Sequence, residues 1–119
     1  MSEHHNAANY QRGVASLVLL SLLKQSDMYG YQLVQEMERQ SFGALCMQEG
    51  ALYPVLYKLQ DSNCISAKRV LVGKRMTRIY YHLEPEGRVY LEQLIQEYKT
   101  VVQGVLRIVE GESNVPSNE

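Results

Sequence analysis

The chain has 119 residues, 45% of them hydrophobic and 21% charged, an ordinary globular composition with room for one folding unit and one site. A formal net charge of −1 argues against indiscriminate nucleic-acid binding. The average hides an asymmetry: residues 58–78 hold six basic residues, Lys58, Lys68, Arg69, Lys74, Arg75 and Arg78, against one acidic residue, Asp61. A concentrated cationic patch on an acidic body favours docking through one face.

No apolar run reaches the roughly 18 residues of a membrane span. The longest, residues 14–23, is broken by Ser16 and Ser21 and follows no basic segment with a cleavage site, so it reads as a core helix and the protein as cytoplasmic, with no membrane partner. Cys46 and Cys64 are too far apart for a C-x-x-C motif and too few for a disulfide framework. Both are expected to be small buried hydrophobes. His4, His5 and His82 form no ligand set with them, so no metal and no cofactor is expected. No Ser-His-Asp or Cys-His-Asn set, H-E-x-x-H or phosphate-cradling glycine loop is present, and the chain reads as a non-enzyme.

In chain order, residues 1–9 are polar and aperiodic, a leader expected to be disordered. The first helix is expected over about residues 11–25. Val14, Leu17, Val18, Leu20, Leu22 and Leu23 cover so much of its circumference that two faces must be buried, which points to a partner chain. Asp27 is placed to cap a second helix, residues 28–40, with Leu33, Val34 and Met37 inward and Gly30 permitting a close helix crossing. A third helix is expected over residues 49–62, with Leu52, Val55, Leu56 and Leu59 on its buried face. Pro54 donates no backbone hydrogen bond, so either the regular helix starts just before it or the first turn is kinked, leaving amides around Gly50 and Ala51 pointing outward.

Two strands follow, residues 64–71 and 76–83, turning at Gly73; the second places Ile79, Tyr81 and Leu83 on one face and Arg78, Tyr80 and His82 on the other. From Pro85 a long helix is expected to residue 110. Leu91, Ile95, Tyr98, Val102, Val105 and Val109 form a heptad-like seam suited to packing along another helix. Residues 112–119 are polar and expected to be disordered.

Three helices followed by a basic hairpin make a winged helix-turn-helix, so the fold class is mainly α with a small β-hairpin. The winged domain spans residues 10–84 and a C-terminal dimerisation helix residues 85–111. In this arrangement the third helix offers its N-terminal half to a DNA groove and the hairpin acts as the wing. The candidate DNA-binding residues are Gln48, Gly50, Ala51, Tyr53, Pro54 and Lys58 on the helix and Lys74, Arg75 and Arg78 on the wing. Gln48 can donate and accept at an adenine edge or cap the helix, and Tyr53 offers a hydroxyl and a flat ring. The three wing cations suit phosphates.

Four segments in order resemble the PadR-type transcriptional regulators, of the short subgroup with one C-terminal helix. They are Arg12-Gly13, Tyr29-Gly30-Tyr31-Gln32-Leu33, Gly50-Ala51-Leu52-Tyr53-Pro54, and Arg78-Ile79-Tyr80-Tyr81-His82-Leu83-Glu84-Pro85-Glu86-Gly87. The resemblance implies a homodimeric, usually repressing regulator that binds inverted-repeat double-stranded DNA at an adjacent or its own promoter and answers to a small molecule. The last helix of each subunit would pack on the first helix of the other, through Leu17 and the heptad seam. By the same analogy an effector pocket lies near Tyr10, Leu17, Tyr98 and Val102. Ala51 stands where similar proteins carry Thr or Ser, Glu84 where Thr commonly caps the last helix, and the chain has no Trp to line a drug pore. The contrasting reading is a winged-helix protein-interaction module without DNA binding.

Overall fold

The structure, a computed structural model, describes the backbone of residues 2–111 and the side chains of residues 14–111. The elements run α1 (Ser2–Gln25), β1 (Met28–Tyr29), α2 (Gly30–Gln40), α3 (Glu49–Asp61), β2 (Ile65–Val72), β3 (Met76–Leu83) and α4 (Pro85–Glu110). The strands form one antiparallel sheet in the order β1-β3-β2. The fold is thus mainly helical with a small sheet and a long C-terminal helix. The tail expected at residues 112–119 and the Tyr10 side chain lie outside the described residues.

Two expectations near the N-terminus need correction. Helix α1 is drawn from Ser2 rather than from about residue 11, in place of an irregular leader. Residues 2–10 contain no Pro or Gly, so nothing in them interrupts a helix propagating from the buried segment. Asp27 does not cap α2, which starts at Gly30 with Tyr29 in the N-cap position and no side-chain cap. Met28 and Tyr29 are instead drawn into the sheet opposite Tyr81 and Tyr80. The Asp27 carboxylate lies 2.8 Å from His82 Nδ1, across to the neighbouring strand β3.

The core sits where α1, α2 and α3 meet the inner face of the sheet. Leu19, Leu20, Leu33, Leu52, Leu56 and Leu91 are essentially inaccessible, joined by Met37, Leu59, Ile65, Tyr81 and Leu83. Each fully buried leucine is worth about 1.5–3 kcal/mol. Of the two cysteines, Cys64 is buried as expected, whereas Cys46 is exposed. It falls in the irregular connection between α2 and α3, where its thiol reaches only the Gly43 carbonyl at 3.7 Å.

Helix α1 buries Ala15, Leu19, Leu22 and Leu23, leaving Val14, Leu17 and Val18 half-exposed on the adjoining stripe. Helix α4 starts as expected at Pro85, with Glu84 in the N-cap position but no side-chain hydrogen bond there. Leu91 packs into the chain's own core, and Leu94 and Ile95 are partly buried against it. Leu91 is therefore withdrawn from the expected intersubunit seam, because it lies within the first two turns that cross the winged domain. Beyond it Tyr98, Val101, Val105, Leu106, Ile108 and Val109 remain exposed. Among the described residues no helix is long and apolar enough to cross a membrane, and no group of His, Cys, Asp and Glu is arranged to hold a metal.

The C-terminal ends of α1 and α2 are tied by side chains. Gln40 Nε2 donates to Gln25 Oε1 at 2.8 Å and to Glu36 Oε1 at 2.8 Å, and Arg39 Nη2 donates to the same Glu36 oxygen at 2.6 Å. The Arg39 and Gln40 hydrogen bonds hold the Glu36 carboxyl at about 2, below its ordinary 4.5. A carboxylate with a depressed pKa stabilises the fold above its unfolded value and stops doing so as pH falls through its folded one. The melting temperature of the chain is therefore expected to exceed that of Glu36→Gln slightly at pH 6, with the gap closing between pH 4.5 and about 2 in thermal melts. A gap undiminished between pH 4.5 and about 2 would show that the carboxylate is not its source.

Candidate nucleic-acid interface

Helix α3 buries Leu52, Leu56 and Leu59 and leaves Glu49, Gly50, Ala51, Pro54, Tyr57 and Lys58 exposed. The helix starts at Glu49, so Pro54 lies within it and has no N–H for the Gly50 carbonyl one turn back. The Ala51 amide does not point outward as expected; it donates to the Gln48 carbonyl at 3.0 Å. The amides of Glu49 and Gly50 are left without an intrahelical acceptor. Gln48 occupies the N-cap position in extended backbone without capping through its side chain, which is exposed. This end of α3 thus presents two amides, the Gly50 carbonyl and the Gln48 amide group on a surface with no side chain at Gly50. Such a surface can approach another polar edge closely.

Tyr53 is placed differently from the other helix candidates. It is half-buried, its hydroxyl pressed on Gly30 at the start of α2 and donating to Glu49 Oε2 at 3.4 Å. Burial, reinforced by the Glu49 carboxylate, pushes its phenol above the ordinary value. Burial, then Tyr53 and Tyr57, push Tyr81 the same way. Gly30 therefore permits the expected close crossing, and its partner is the Tyr53 side chain. A Cβ there would run into the Tyr53 hydroxyl, with Tyr53 Cζ at 3.0 Å. Gly30→Ala is expected to swing Tyr53 outward at a cost of about 1–3 kcal/mol. Chemical denaturation would measure it, and a neutral outcome would show that Tyr53 does not lock α2 to α3.

Beside α3, β2 and β3 pair throughout, from Ile65 opposite Leu83 to Val72 opposite Met76, and turn at Gly73, whose φ of 71° is the left-handed backbone that glycine tolerates. Lys68, Arg69, Lys74 and Arg75 are exposed along this hairpin. Arg78 is half-buried, its guanidinium carbon 4.2 Å from the Tyr29 ring centre, and Tyr29 meets Tyr80 edge to face at 5.4 Å. This stacking fixes one cation on the outer face of the sheet. No acidic residue stands between Asp61 and Glu84.

Two grooves flank α3. One, of about 580 Å³, runs between α3, the start of α2 and the sheet, lined by Tyr29, Tyr31, Tyr53, Tyr57 and Arg78 among others. The other, of about 600 Å³, lies between α1, the connection before α3 and α4, lined by Val14, Val18, Met37, Met47, Gln48, Ala51 and Tyr98 among others. Of the expected effector residues Tyr98 lines it, whereas Leu17 and Val102 do not. Tyr31 and Tyr57, at 51% and 56% exposure, were not among the expected site residues, nor were Lys68 and Arg69. Tyr57 follows Gly50 and Pro54 at helical spacing, a signal legible beforehand; nothing local marked Tyr31.

Three helices, a basic hairpin and a third helix with an open N-terminal face define a winged helix-turn-helix protein. A sequence model of the "Transcriptional regulator PadR-like family" matches residues 19–93. The chain belongs to this family, whose members are transcriptional regulators and not enzymes. Among similar proteins, the "Transcriptional regulator Rv3488" of Mycobacterium tuberculosis is 26% identical over 110 residues, 92% of this chain and 95% of that one. A transcriptional regulator from Clostridium thermocellum superimposes with a TM-score of 0.76 at 26% identity, covering 85% of this chain and 95% of its own. Bacillus subtilis PadR, solved in complex with operator DNA, shares the fold with a TM-score of 0.64 at 22% identity, covering 69% of this chain and 47% of that chain.

Proposed function

We propose that this chain is a homodimeric, sequence-specific DNA-binding repressor acting on an adjacent or its own promoter and released by a small-molecule effector. The observation that carries the DNA-binding part is the juxtaposition of the open face of α3 with a hairpin bearing five basic residues and no acid. Gln48, Gly50, Ala51, Pro54 and Lys58 face the major groove, with Tyr53 holding the helix in place, while Lys74, Arg75 and Arg78 meet phosphates. The operator complex of Bacillus subtilis PadR supports the same use of this fold. A soluble regulator of this kind works in the cytoplasm.

One copy offers few groups that read bases, so specificity needs two. The half-exposed stripe of Val14, Leu17 and Val18 on α1 and the exposed Tyr98, Val105 and Val109 on α4 are the surfaces a second copy covers, with Ile95 and Val102 at their margin. The two α3 helices would then address half-sites about 34 Å apart, one DNA turn. Val105→Glu with Val109→Glu, exposed in the single chain, is expected to give a folded monomer by analytical ultracentrifugation. A dimer that survived both changes would remove α4 from the interface. The effector is assigned to the surroundings of Tyr10, Leu17, Tyr98 and Val102; metabolites that neither shift DNA affinity nor raise the melting temperature would count against it.

The direct test is titration of the chain against its own promoter region between 50 and 200 mM salt, followed by fluorescence anisotropy. Affinity is expected to fall steeply, with a log–log slope of about −0.9 per phosphate neutralised. A protein-interaction module without DNA binding would give no saturable, salt-dependent signal.

A further inference from the structure

The tip of the wing is not simply basic. Leu71 is 64% exposed and Met76 58% exposed, and these two large apolar side chains bracket Lys74 and Arg75. The pairing of Leu71 with Thr77 and of Val72 with Met76 places them on opposite faces of the ribbon, because successive strand residues alternate. Ile79, 38% exposed, extends the Leu71 face. An element whose only task was to touch phosphates would gain nothing from apolar groups on both faces of its tip, and a bare apolar ribbon invites pairing with other chains. The five cations and absent carboxylates select a polyanion as occupant.

We propose that Leu71 and Met76, on the two faces of the wing tip, wedge open the minor groove that flanks the α3 site. This rests on the DNA-binding reading above and adds to it a second mode of sequence recognition. The walls of the minor groove are sugar C–H surfaces, and its floor is electronegative, most of all in A·T tracts. Arg75 and Lys74 at the leading edge meet the floor and the phosphates, while Leu71 faces one wall and Met76 the other. A B-form minor groove is about 6 Å wide. A ribbon with side chains on both faces needs about 10 Å, the spacing of packed sheets, so the groove must widen or a base step must part. Flexible TA or CA steps at the flank lower that cost, and a stiff A-tract raises it. The wing thereby reads deformability at positions that no side chain recognises by hydrogen bonds.

The test compares the chain with Leu71→Thr/Met76→Thr, which keeps every cation and the β-propensity of the hairpin. Both are titrated against promoter duplexes carrying either TA steps or an A-tract at the wing positions, with dyes at the duplex ends. The parent chain is expected to bend the duplex and to prefer the TA flank about tenfold. The double variant is expected to keep the salt slope, lose most of the energy-transfer change and show a flank preference near one. Equal bending and equal preference in the two proteins would overturn the proposal. So would a variant whose only defect is a changed oligomeric state, which would make the tip a contact between copies. A second measurement uses the unaltered chain: 2-aminopurine at the flanking step should brighten on binding, and an unchanged signal in a bound complex counts against the wedge. A parent chain that binds no promoter duplex defeats the DNA-binding reading itself, an outcome distinct from binding without bending.

Discussion

Gly87→Ala is expected to cost about 3 kcal/mol or more and to lower the melting temperature by on the order of 10 °C, even though alanine is the better helix former. Gly87 sits in the first turn of α4 and is buried. A Cβ on it would overlap the Cys64 carbonyl oxygen and come within 2.7 Å of Leu83 Cδ1. The carbonyl cannot retreat, since it accepts the Glu84 amide at 3.0 Å, the bond that joins the end of the hairpin to the start of α4. The propensity gain of about 1 kcal/mol is therefore outweighed by displacement of backbone. Gly104, also in α4 but with open space at its Cβ, is the control: Gly104→Ala should be neutral or stabilising by about 0.5–1 kcal/mol in thermal melts. If both substitutions behaved alike, the close approach at Gly87 would not be what fixes α4. The consequence would reach function, because in the proposed dimer the angle at which α4 leaves the winged domain would set the separation of the two α3 helices.

Most of the fold was legible because its long elements carry long periodic patterns. The limits of β3 and α4 coincide with those expected, and α3 differs by one residue at its end. What escaped the sequence is held by partners far along the chain. Strand β1 has two residues, too few to show alternation, and exists only because β3 lies beside it. Asp27 has the chemistry of a helix cap, and the competing His82 is 55 residues away. The same cause divides the candidate site. Helical spacing puts Tyr53 and Pro54 on the outer side of α3, yet Tyr53 turns inward because Gly30, on another helix, leaves room for its hydroxyl. Leu91 satisfies the heptad pattern as well as Val105 does, and only the position of the winged domain makes one a core residue and the other exposed.

Reversing the wing charges, Lys74→Glu with Arg75→Glu, is expected to weaken promoter binding about a thousandfold at 0.15 M salt and to make the log–log salt slope shallower by about 3 to 4. The proposed dimer would present two wings, so the double substitution would remove four cations from phosphates, each carrying a slope of about −0.9. Both side chains are exposed and belong to the hairpin turn, where neither enters the core. Folding and dimerisation should therefore survive, which circular dichroism and ultracentrifugation would confirm. The change in slope separates this mechanism from a general loss of the site: substitution of Gln48, proposed above to face a base edge, should lower affinity for the cognate sequence at nearly unchanged slope. Binding that fell while the slope stayed the same in the wing variant would mean that Lys74 and Arg75 act on the shape of the hairpin and not on phosphates. An unchanged affinity would place the DNA on another face, and the acidity of the rest of the chain leaves α3 alone too weakly charged to hold it there.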